Sequence, residues 1–287
     1  MTAPTFTHLI NPVFKPPGHE LSVAQPVTFA SMDRARQHFA QETGGHVRVI
    51  CAIYDEDEPL VPPFAEGVIR LRKSFRDVVA SGEAPKLPLV QELLDGAGPI
   101  ASGEYIVFSN IDIALMPNFY TAAAAYLASG YDNLVINRRT ILPAPSQLNN
   151  LDLLYSLAGN PHPGYDCFVF RIADLQRFAM GNLVVGLPGF DWIMALNLWY
   201  RGGRNLGLYD HHLTFHIGDD KSWMSDAMRH WQTLNYENML APLESLRSEF
   251  GDKEHFIWPR PQAHRGLVHR IMNKIARQLL GAWPNQA

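Results

Sequence analysis

Cysteine is scarce in this sequence, with Cys51 and Cys167 the two cysteines among 287 residues. Each lies in a short apolar run typical of a buried strand, so the sequence predicts reduced core thiols and argues against a disulfide framework. No apolar stretch reaches 18 uninterrupted residues, and residues 1–26 lack the apolar segment of a signal peptide. We therefore expect neither a membrane span nor secretion, and a cytoplasmic location.

An excess of positive charge is also missing, since the net charge is −4 and the pI is about 6.3. A nucleic-acid-binding face usually makes a domain basic, so the composition argues against a nucleic-acid partner. The apolar fraction of 47% is too high for a disordered chain. The sequence shows no repeat and no linker between two domains. We expect one domain over residues 1–260, followed by a helical tail over 261–287.

Short apolar runs alternate with helical patterns through residue 140, which predicts βαβ units. The run 47–54 is apolar on both faces, as in a parallel strand covered by helices on both sides. The sequence thus predicts an α/β fold in which helices flank a parallel sheet through residue 140, followed by a more irregular half. The predicted strands are 5–10, 47–54, 105–108, 134–136, 167–170, 206–209 and 213–217, and the longer predicted helices are 27–41, 66–81, 88–96, 117–129 and 191–201.

Polar residues follow several of these predicted strands. In an open α/β sheet, ligands bind outside the carboxyl ends of the strands, so the strand ends are where a site is expected. Acidic residues occur at 55–58 after the second strand, at Asp112 after the central strand, and at Asp191 at the head of a buried helix. A histidine-rich stretch, 210–216, adds imidazoles near the end of the pattern.

The segment Asn110-Ile-Asp112 places two oxygen-bearing side chains at alternate positions, on one face if the chain stays extended. Carboxylate and diphosphate oxygens suit Mg²⁺ or Mn²⁺, and a histidine such as His216 shifts the preference toward Mn²⁺. The alternative is that Asp112 caps the following turn through a local backbone hydrogen bond.

Asp191 also has two interpretations. It follows a glycine-rich turn and is suited to an N-cap, but apolar neighbours such as Trp192 would raise its pKa toward that of a general base. Arg138, beside Arg139, has the bidentate geometry to face a phosphate, although adjacent arginines are also common on surface loops.

Four stretches, taken in order, resemble GT-A-type nucleotide-sugar glycosyltransferases, including uncharacterised glycosyltransferase-like proteins. They are "HLINPV", "YIVFSNIDIAL", "GYDCFVF" and "VGLPGFDWIMALNLWYRGG…LYDHHLTFHIG", and the resemblance covers residues 5–220. It implies an α/β fold with a GT-A-like (Rossmann-like), mixed but mainly parallel sheet flanked by helices. It also implies transfer of a sugar from a nucleotide-diphosphate donor to a hydroxyl acceptor, with UDP the commonest nucleotide.

The resemblance also implies roles for individual residues. Asn110-Ile-Asp112 stands where such enzymes carry an Asp-x-Asp metal motif, but its first acid is an amide here, so Asp112 would hold Mn²⁺ or Mg²⁺ with His216. Asp191 corresponds to the catalytic base of inverting members. The resemblance further implies donor contacts from Asn11, Asp55, Asp57, Asn110 and Arg138, and a substrate pocket lined by Asp166 and Trp192.

Two other functions stay open on the sequence. One is sugar-phosphate nucleotidyl transfer, which usually needs a glycine-rich basic loop after the first strand, whereas "NPVFKPPGHE" holds one glycine and one lysine. The other is a catalytically inactive carbohydrate-binding protein, because the metal motif is degenerate.

The segment 264–283, "HRGLVHRIMNKIARQLLGAW", has apolar residues at helical spacing and only basic formal charges. Such a helix can lie on an anionic membrane, which would suit a lipid-linked or envelope glycan acceptor in surface polysaccharide or glycolipid synthesis, at the inner face of the membrane. The alternative is a helix docked on its own domain or on a partner subunit.

Overall fold

The computed structural model describes residues 4–162, 164–209, 211–218 and 225–251. The tail predicted over 261–287, its 264–283 segment included, and Asp210 lie outside these ranges. The strands are β1 (Phe6–Ile10), β2 (Val47–Ile53), β3 (Gly67–Arg70), β4 (Tyr105–Ser109), β5 (Ile113–Leu115), β6 (Asn133–Ile136), β7 (Arg139–Ile141), β8 (Asn160–Pro161), β9 (Cys167–Arg171), β10 (Asn205–Leu208) and β11 (Thr214–Ile217). The helices are α1 (Glu20–Thr43), α2 (Phe75–Val79), α3 (Val90–Ala97), α4 (Phe119–Ala128), α5 (Leu151–Tyr155), α6 (Phe190–Arg201), α7 (Asp226–Glu237) and α8 (Leu240–Phe250).

The larger sheet has the order β10-β6-β9-β4-β1-β2-β3 in the part of the chain that the structure describes. Its strands run parallel except β9, which is antiparallel to both β4 and β6. The predicted mixed, mainly parallel sheet is therefore confirmed. One edge of this sheet collects the carboxyl ends of the parallel strands together with the amino end of β9.

Both faces of the sheet are buried, because alternate residues of each strand enter two different cores. On one face Ile50, Ile106 and Phe168 pack with helices α3 and α6. On the other face Val49 and Val107 pack with helices α1 and α4. This double coverage explains the uninterrupted apolar run of β2. Both cysteines are buried and free, as predicted.

A smaller sheet, ordered β5-β11-β7-β8, stands beside the carboxyl edge of the larger one. Strand β5 follows β4 after a turn, and β11 pairs antiparallel with β5 and parallel with β7. His216 lies opposite Ile113 in this register. The pairing therefore brings β11 next to the residues that follow β4.

Two predicted helices differ from the structure. The helix predicted over 66–81 is instead strand β3, paired in parallel with β2, and the short helix α2. A Ser74–Asp77 capping box begins α2 and separates the two elements. Helix α1 begins at Glu20, earlier than predicted, and continues through Pro26. Its N-cap is His19, whose side chain accepts a hydrogen bond from the Leu21 N–H.

Across the described ranges, none of the helices has both the length and the apolar character needed to cross a membrane.

Candidate functional site

Asp112 and His216 form a buried contact at the carboxyl edge of the larger sheet. Asp112 Oδ2 lies 3.1 Å from His216 Nε2, while Asp112 Oδ1 is buried without a hydrogen-bond partner. Burial raises the pKa of Asp112, but the hydrogen bond to His216 and the charges of His216 and Arg138 together outweigh it, so that pKa lies below its usual value. Burial lowers the pKa of His216, but the hydrogen bond to Asp112 and the charge of that carboxylate together raise it above its usual value. Asp112 thus contacts a distant histidine, in addition to any local capping.

The segment from Asn110 to Asp112 is not extended, so the condition under which both side chains would lie on one face is not met. The Ile113 N–H donates to the Asn110 carbonyl, so the chain turns between β4 and β5. Because of this turn, Asn110 and Asp112 do not alternate as strand residues do. The Asn110 N–H is used by the sheet, since it donates to the Asp166 carbonyl.

The donor set at Asp112 and His216 fits a divalent cation. His216 Nδ1 lies 3.0 Å from the Gly218 carbonyl, and that contact requires a proton on Nδ1. In the neutral ring the Nε2 lone pair then faces the Asp112 carboxylate, so a proton or a metal ion must lie between the two acceptors. No group of three or more His, Cys, Asp or Glu side chains is assembled as a metal site within the described residues, so these two are a partial set.

Arg138 and Asp166 lie beside this pair. Arg138 follows β6, and its Nη1 lies 2.6 Å from Asp166 Oδ1. The backbone of Asp166 is held between two strand ends, because its N–H donates to the Ile136 carbonyl and its carbonyl accepts from Asn110. The Arg138 guanidinium lowers the pKa of Asp112 as well, after the effects of His216. Arg138 thus links the two carboxylates electrostatically.

Asp191 lies in the first turn of α6, one residue inside the helix, and Gly189 occupies the N-cap position. Asp191 Oδ1 accepts a hydrogen bond of 3.2 Å from the Gly189 N–H, so of its two interpretations the N-cap is wrong, and the side chain bonds back to the turn instead. Burial, followed by the charge of Asp166, raises the pKa of Asp191 to about 7. The rise agrees with the expectation that its surroundings shift it toward a general base.

Aromatic side chains surround Asp191. Trp192 packs edge-on against Tyr165 at 6.0 Å, and Tyr165 contacts Tyr209 with a distance of 3.2 Å between hydroxyls. Tyr236 of α7 is partly buried beside Gly189, and the charge of Asp191 raises the pKa of Tyr236 after the effect of burial. The carboxylate therefore lies among aromatic rings, several of which carry hydroxyl groups.

The residues expected to contact a nucleoside lie at the ends of β1 and β2, on the same edge of the sheet. Asn11 Nδ2 donates to the Ala52 carbonyl, and Asp57 Oδ1 accepts from the Phe14 N–H at 2.7 Å. These contacts fix the loop after β1 to the turn after β2. Asp55 is different, because its side chain is 89% exposed and lies 3.5 Å from Arg70.

A cleft of about 350 Å³ opens at the carboxyl ends of β2 and β3. Its lining includes Tyr54, Asp55, Arg72, Arg76 and Lys86. The Lys86 ammonium lies 4.1 Å from the centre of the Tyr54 ring, a cation–π contact. Sequence reasoning anticipated Asp55 here and missed the aromatic and basic residues, because Tyr54 reads as the last residue of an apolar strand.

Sequence reasoning also missed Tyr236 and His162. His162 Nδ1 lies 3.7 Å from Asp166 Oδ2, and its loop passes Asp191, because a Cβ on Gly164 would stand 4.0 Å from Asp191 Oδ2. The only signal for His162 is its position in the proline- and glycine-rich segment before Asp166. Nothing local marks Tyr236, which occurs in an ordinary amphipathic helix.

No family model and no curated protein sequence matches the chain. Among solved structures, it is similar to S. aureus TarS 1–349 in complex with UDP-GlcNAc, with a TM-score of 0.54 and 13% identity over 96% of this chain and 71% of that chain. It also aligns with glucosyl-3-phosphoglycerate synthase from Mycobacterium tuberculosis in complex with Mn²⁺, UDP and glucosyl-3-phosphoglycerate, with a TM-score of 0.43 and 14% identity over 83% of this chain and 80% of that chain. The first similarity, with the sheet order and both covered faces, shows that this chain has the GT-A fold expected from its sequence.

Proposed function

We propose that this protein is a nucleotide-sugar glycosyltransferase that moves a sugar from a UDP-linked donor to a hydroxyl acceptor. One observation carries the proposal. Asp112 and Asp191, placed on different elements, belong to one electrostatic chain that runs through Arg138 and Asp166. A donor-side carboxylate and a proton-accepting carboxylate are the two acids that this reaction needs. The similarity of the fold to TarS 1–349, which was crystallised with UDP-GlcNAc, supports the choice of donor.

The donor would lie along the carboxyl edge of the sheet. The nucleoside is assigned to the end of β2, near Asn11, Asp57 and the cleft beside Tyr54, where basic side chains can approach the phosphates. Asp112 and His216 would hold Mn²⁺ or Mg²⁺. Such an ion, when bound, neutralises charge that develops on the leaving diphosphate.

Asp191 would accept the proton of the acceptor hydroxyl. As the proton moves to the carboxylate, the acceptor oxygen forms a bond to the anomeric carbon, and the bond from that carbon to the diphosphate oxygen breaks. The electron pair leaves with UDP, and attack from the opposite side inverts the anomeric configuration. A base with a pKa near 7 is suited to this step at neutral pH.

The acceptor would lie against the aromatic side chains around Asp191. Trp192, Tyr209 and Tyr236 offer apolar ring faces with polar edges, which suits a sugar ring better than a linear acceptor. Asp166 and His162, whose side chains lie 3.7 Å apart, would position neighbouring hydroxyls. We assign the acceptor to a glycan or a lipid-linked glycan of surface polysaccharide or glycolipid synthesis.

The basic segment 264–283 is proposed to bring the enzyme to an anionic membrane surface that carries this acceptor. Deleting residues 264–287 should then reduce sedimentation with vesicles that contain anionic lipid and leave sedimentation with neutral vesicles unchanged. Equal sedimentation of the full and shortened chains with anionic vesicles would contradict the membrane role.

The function is tested by combining binding and turnover. Nucleoside diphosphates are screened by thermal shift with and without Mn²⁺, because a ligand that binds only the folded state raises the melting temperature. UDP release is then measured from UDP-sugars with monosaccharide and oligosaccharide acceptors. We expect UDP to stabilise the protein more with Mn²⁺ and an acceptor to accelerate UDP release. Stabilisation by nucleoside triphosphates with release of pyrophosphate would instead indicate nucleotidyl transfer.

A further inference from the structure

Asp112 and His216, the two residues proposed to bind the cation, carry less negative charge than an Asp-x-Asp motif would supply. Asn110 replaces the first acid, and the turn after β4 separates it from Asp112. With a neutral imidazole at His216, a single carboxylate faces a cation of charge two. Hard divalent cations favour several oxygen ligands, so a further carboxylate is expected close to this pair.

Glu20 supplies a carboxylate at this place. It is the first residue of α1, and its Oε1 lies 3.9 Å from His216 Nε2, the ring atom that also contacts Asp112. Its side chain is 19% exposed, so the carboxylate is largely shielded from solvent. Glu20 lies at the carboxyl edge of the sheet because α1 begins after the short loop that follows the carboxyl end of β1.

Gly218 makes room for this approach. It has a φ of +90°, and any Cβ built on it would overlap the Glu20 carboxylate. The Gly218 carbonyl is also the group that faces His216 Nδ1. One glycine therefore both orients the imidazole and admits the carboxylate beside it.

We propose that Glu20 is a third protein ligand of the divalent cation held by Asp112 and His216, in place of the acid that Asn110 lacks. This inference rests on the proposed function for the presence of the cation. Two carboxylates and a neutral imidazole balance the charge of Mn²⁺ or Mg²⁺, and two oxygens with one nitrogen favour Mn²⁺.

One of the two observed separations matches a shared cation, and the other is close to what one requires. With metal–ligand distances near 2.1 Å in octahedral geometry, neighbouring ligand atoms are about 3.0 Å apart and opposite ones about 4.2 Å apart. The Asp112–His216 separation of 3.1 Å matches neighbouring ligands, and the Glu20–His216 separation of 3.9 Å falls between the two values. No three such side chains are assembled as a site in the described residues, so Glu20 would have to rotate toward Asp112 and His216 to complete the set.

Binding of Mn²⁺ alone to the full chain tests the assignment without any enzyme assay. Bound Mn²⁺ is counted from the loss of the free-ion EPR signal for the wild type, Glu20→Gln, Asp112→Asn and Glu66→Gln. The last variant is a matched control, because Glu66 makes an exposed contact of 3.1 Å with His46. We expect Glu20→Gln to weaken Mn²⁺ affinity about 10-fold or more, Asp112→Asn to weaken it at least as much, and Glu66→Gln to leave it unchanged.

Two further measurements separate a metal ligand from a structural residue: the melting temperature of the metal-free protein, and the affinity for UDP in EDTA. If Glu20 is a metal ligand, both should stay at wild-type values in Glu20→Gln. Wild-type Mn²⁺ affinity in Glu20→Gln, or a loss of metal-free stability with unchanged Mn²⁺ affinity, would overturn the assignment. If Glu20→Gln loses Mn²⁺ affinity but the wild type releases no UDP from any donor, the ligand assignment stands and the proposed function fails.

Discussion

The protonation state of Asp191 is the property of a single residue on which the proposed chemistry most depends. Its carboxyl is buried at the head of α6, and Asp166 adds a second negative charge nearby. The charge of Asp191 also acts on Tyr165 and Tyr236, which stay neutral at physiological pH because burial raises their pKa values further above the ordinary 10. Near neutral pH, Asp191 is therefore divided between its acid form and its base form.

The first prediction concerns the pH dependence of transfer. A general base acts in its deprotonated form, so kcat/KM should rise as the pH rises through about 7, the pKa of Asp191. Below the pKa, a plot of log kcat/KM against pH should have a slope of one, because one proton is lost. A rate that is flat from pH 6 to pH 8, or that falls over this range, would contradict the role of Asp191 as the base.

The second prediction concerns stability, which has the opposite pH dependence. Asp191 has a higher pKa in the folded protein, about 7, than the ordinary 3.8, so the folded state holds a proton that the unfolded state releases between these values. Folding stability from this group is therefore lost as the pH rises from 3.8 to about 7. The loss is on the order of 4 kcal/mol at the upper end.

Asp191→Asn removes this titration and keeps the shape of the side chain. The melting temperature of the variant relative to the wild type should increase from pH 5 to pH 8. Asp174→Asn is a control, because Asp174 is also buried but is paired with arginines. A difference between Asp191→Asn and wild type that does not change with pH would contradict the raised pKa.

At the scale of elements, the turn before α6 sets the position of Asp191. Gly189 has a φ of +118°, which side chains rarely adopt, and its N–H donates to Asp191. A Cβ at this position would stand 2.9 Å from Met239 Sδ. The conformation of one glycine thus links the loop, the helix and the Asp191 carboxylate.

The third prediction follows from this geometry. Gly189→Ala should lower the free energy of unfolding by about 1–3 kcal/mol through backbone strain, and it should lower kcat because Asp191 is displaced. Gly82→Ala is the matched control, since Gly82 has no atom near a built Cβ, and its stability should stay within about 0.5 kcal/mol of wild type. Equal urea midpoints for the two variants would contradict the account.

Sequence patterns predicted those elements whose burial dictates their composition. Strand β2 was recognisable because both of its faces are covered, and α6 because it is apolar nearly all round. The segment 66–81 was wrongly assigned to helix because β3 is a short strand with an exposed valine, Val68, and lacks that signature. Pro26 concealed the first turns of α1, since a proline inside a helix removes a backbone hydrogen bond and usually kinks or breaks the helix.

At the scale of the whole molecule, the site is assembled by pairings between distant segments. Asp112 and His216 meet because β11 pairs with β5, and Asp166 meets Arg138 because β9 lies between β4 and β6. Residue types and strand ends identified these side chains in the sequence. Their partners could not be predicted from local sequence. That Tyr236 lies near Asp191 and Glu20 near His216 is evident only from the positions of α7 and α1 in the structure.

The fourth prediction concerns domain organisation. The two main cores share the larger sheet, because alternate residues of each strand enter one or the other. We therefore propose that residues 1–260 are a single domain, which should unfold in one cooperative step. Far-UV circular dichroism and tryptophan fluorescence should give the same urea midpoint. Separate midpoints for the two probes would contradict a single domain.

The central claim is that Asp112 and Asp191 face one cleft and have different roles in one reaction. Parallel measurement of UDP affinity and turnover in Asp112→Asn and Asp191→Asn tests it most directly. The account predicts that Asp191→Asn binds UDP with Mn²⁺ as the wild type does, while kcat falls about 10²–10⁴-fold. Asp112→Asn should lose the enhancement of UDP affinity by Mn²⁺. Wild-type turnover in Asp191→Asn, or an unchanged effect of Mn²⁺ on UDP affinity in Asp112→Asn, would contradict it.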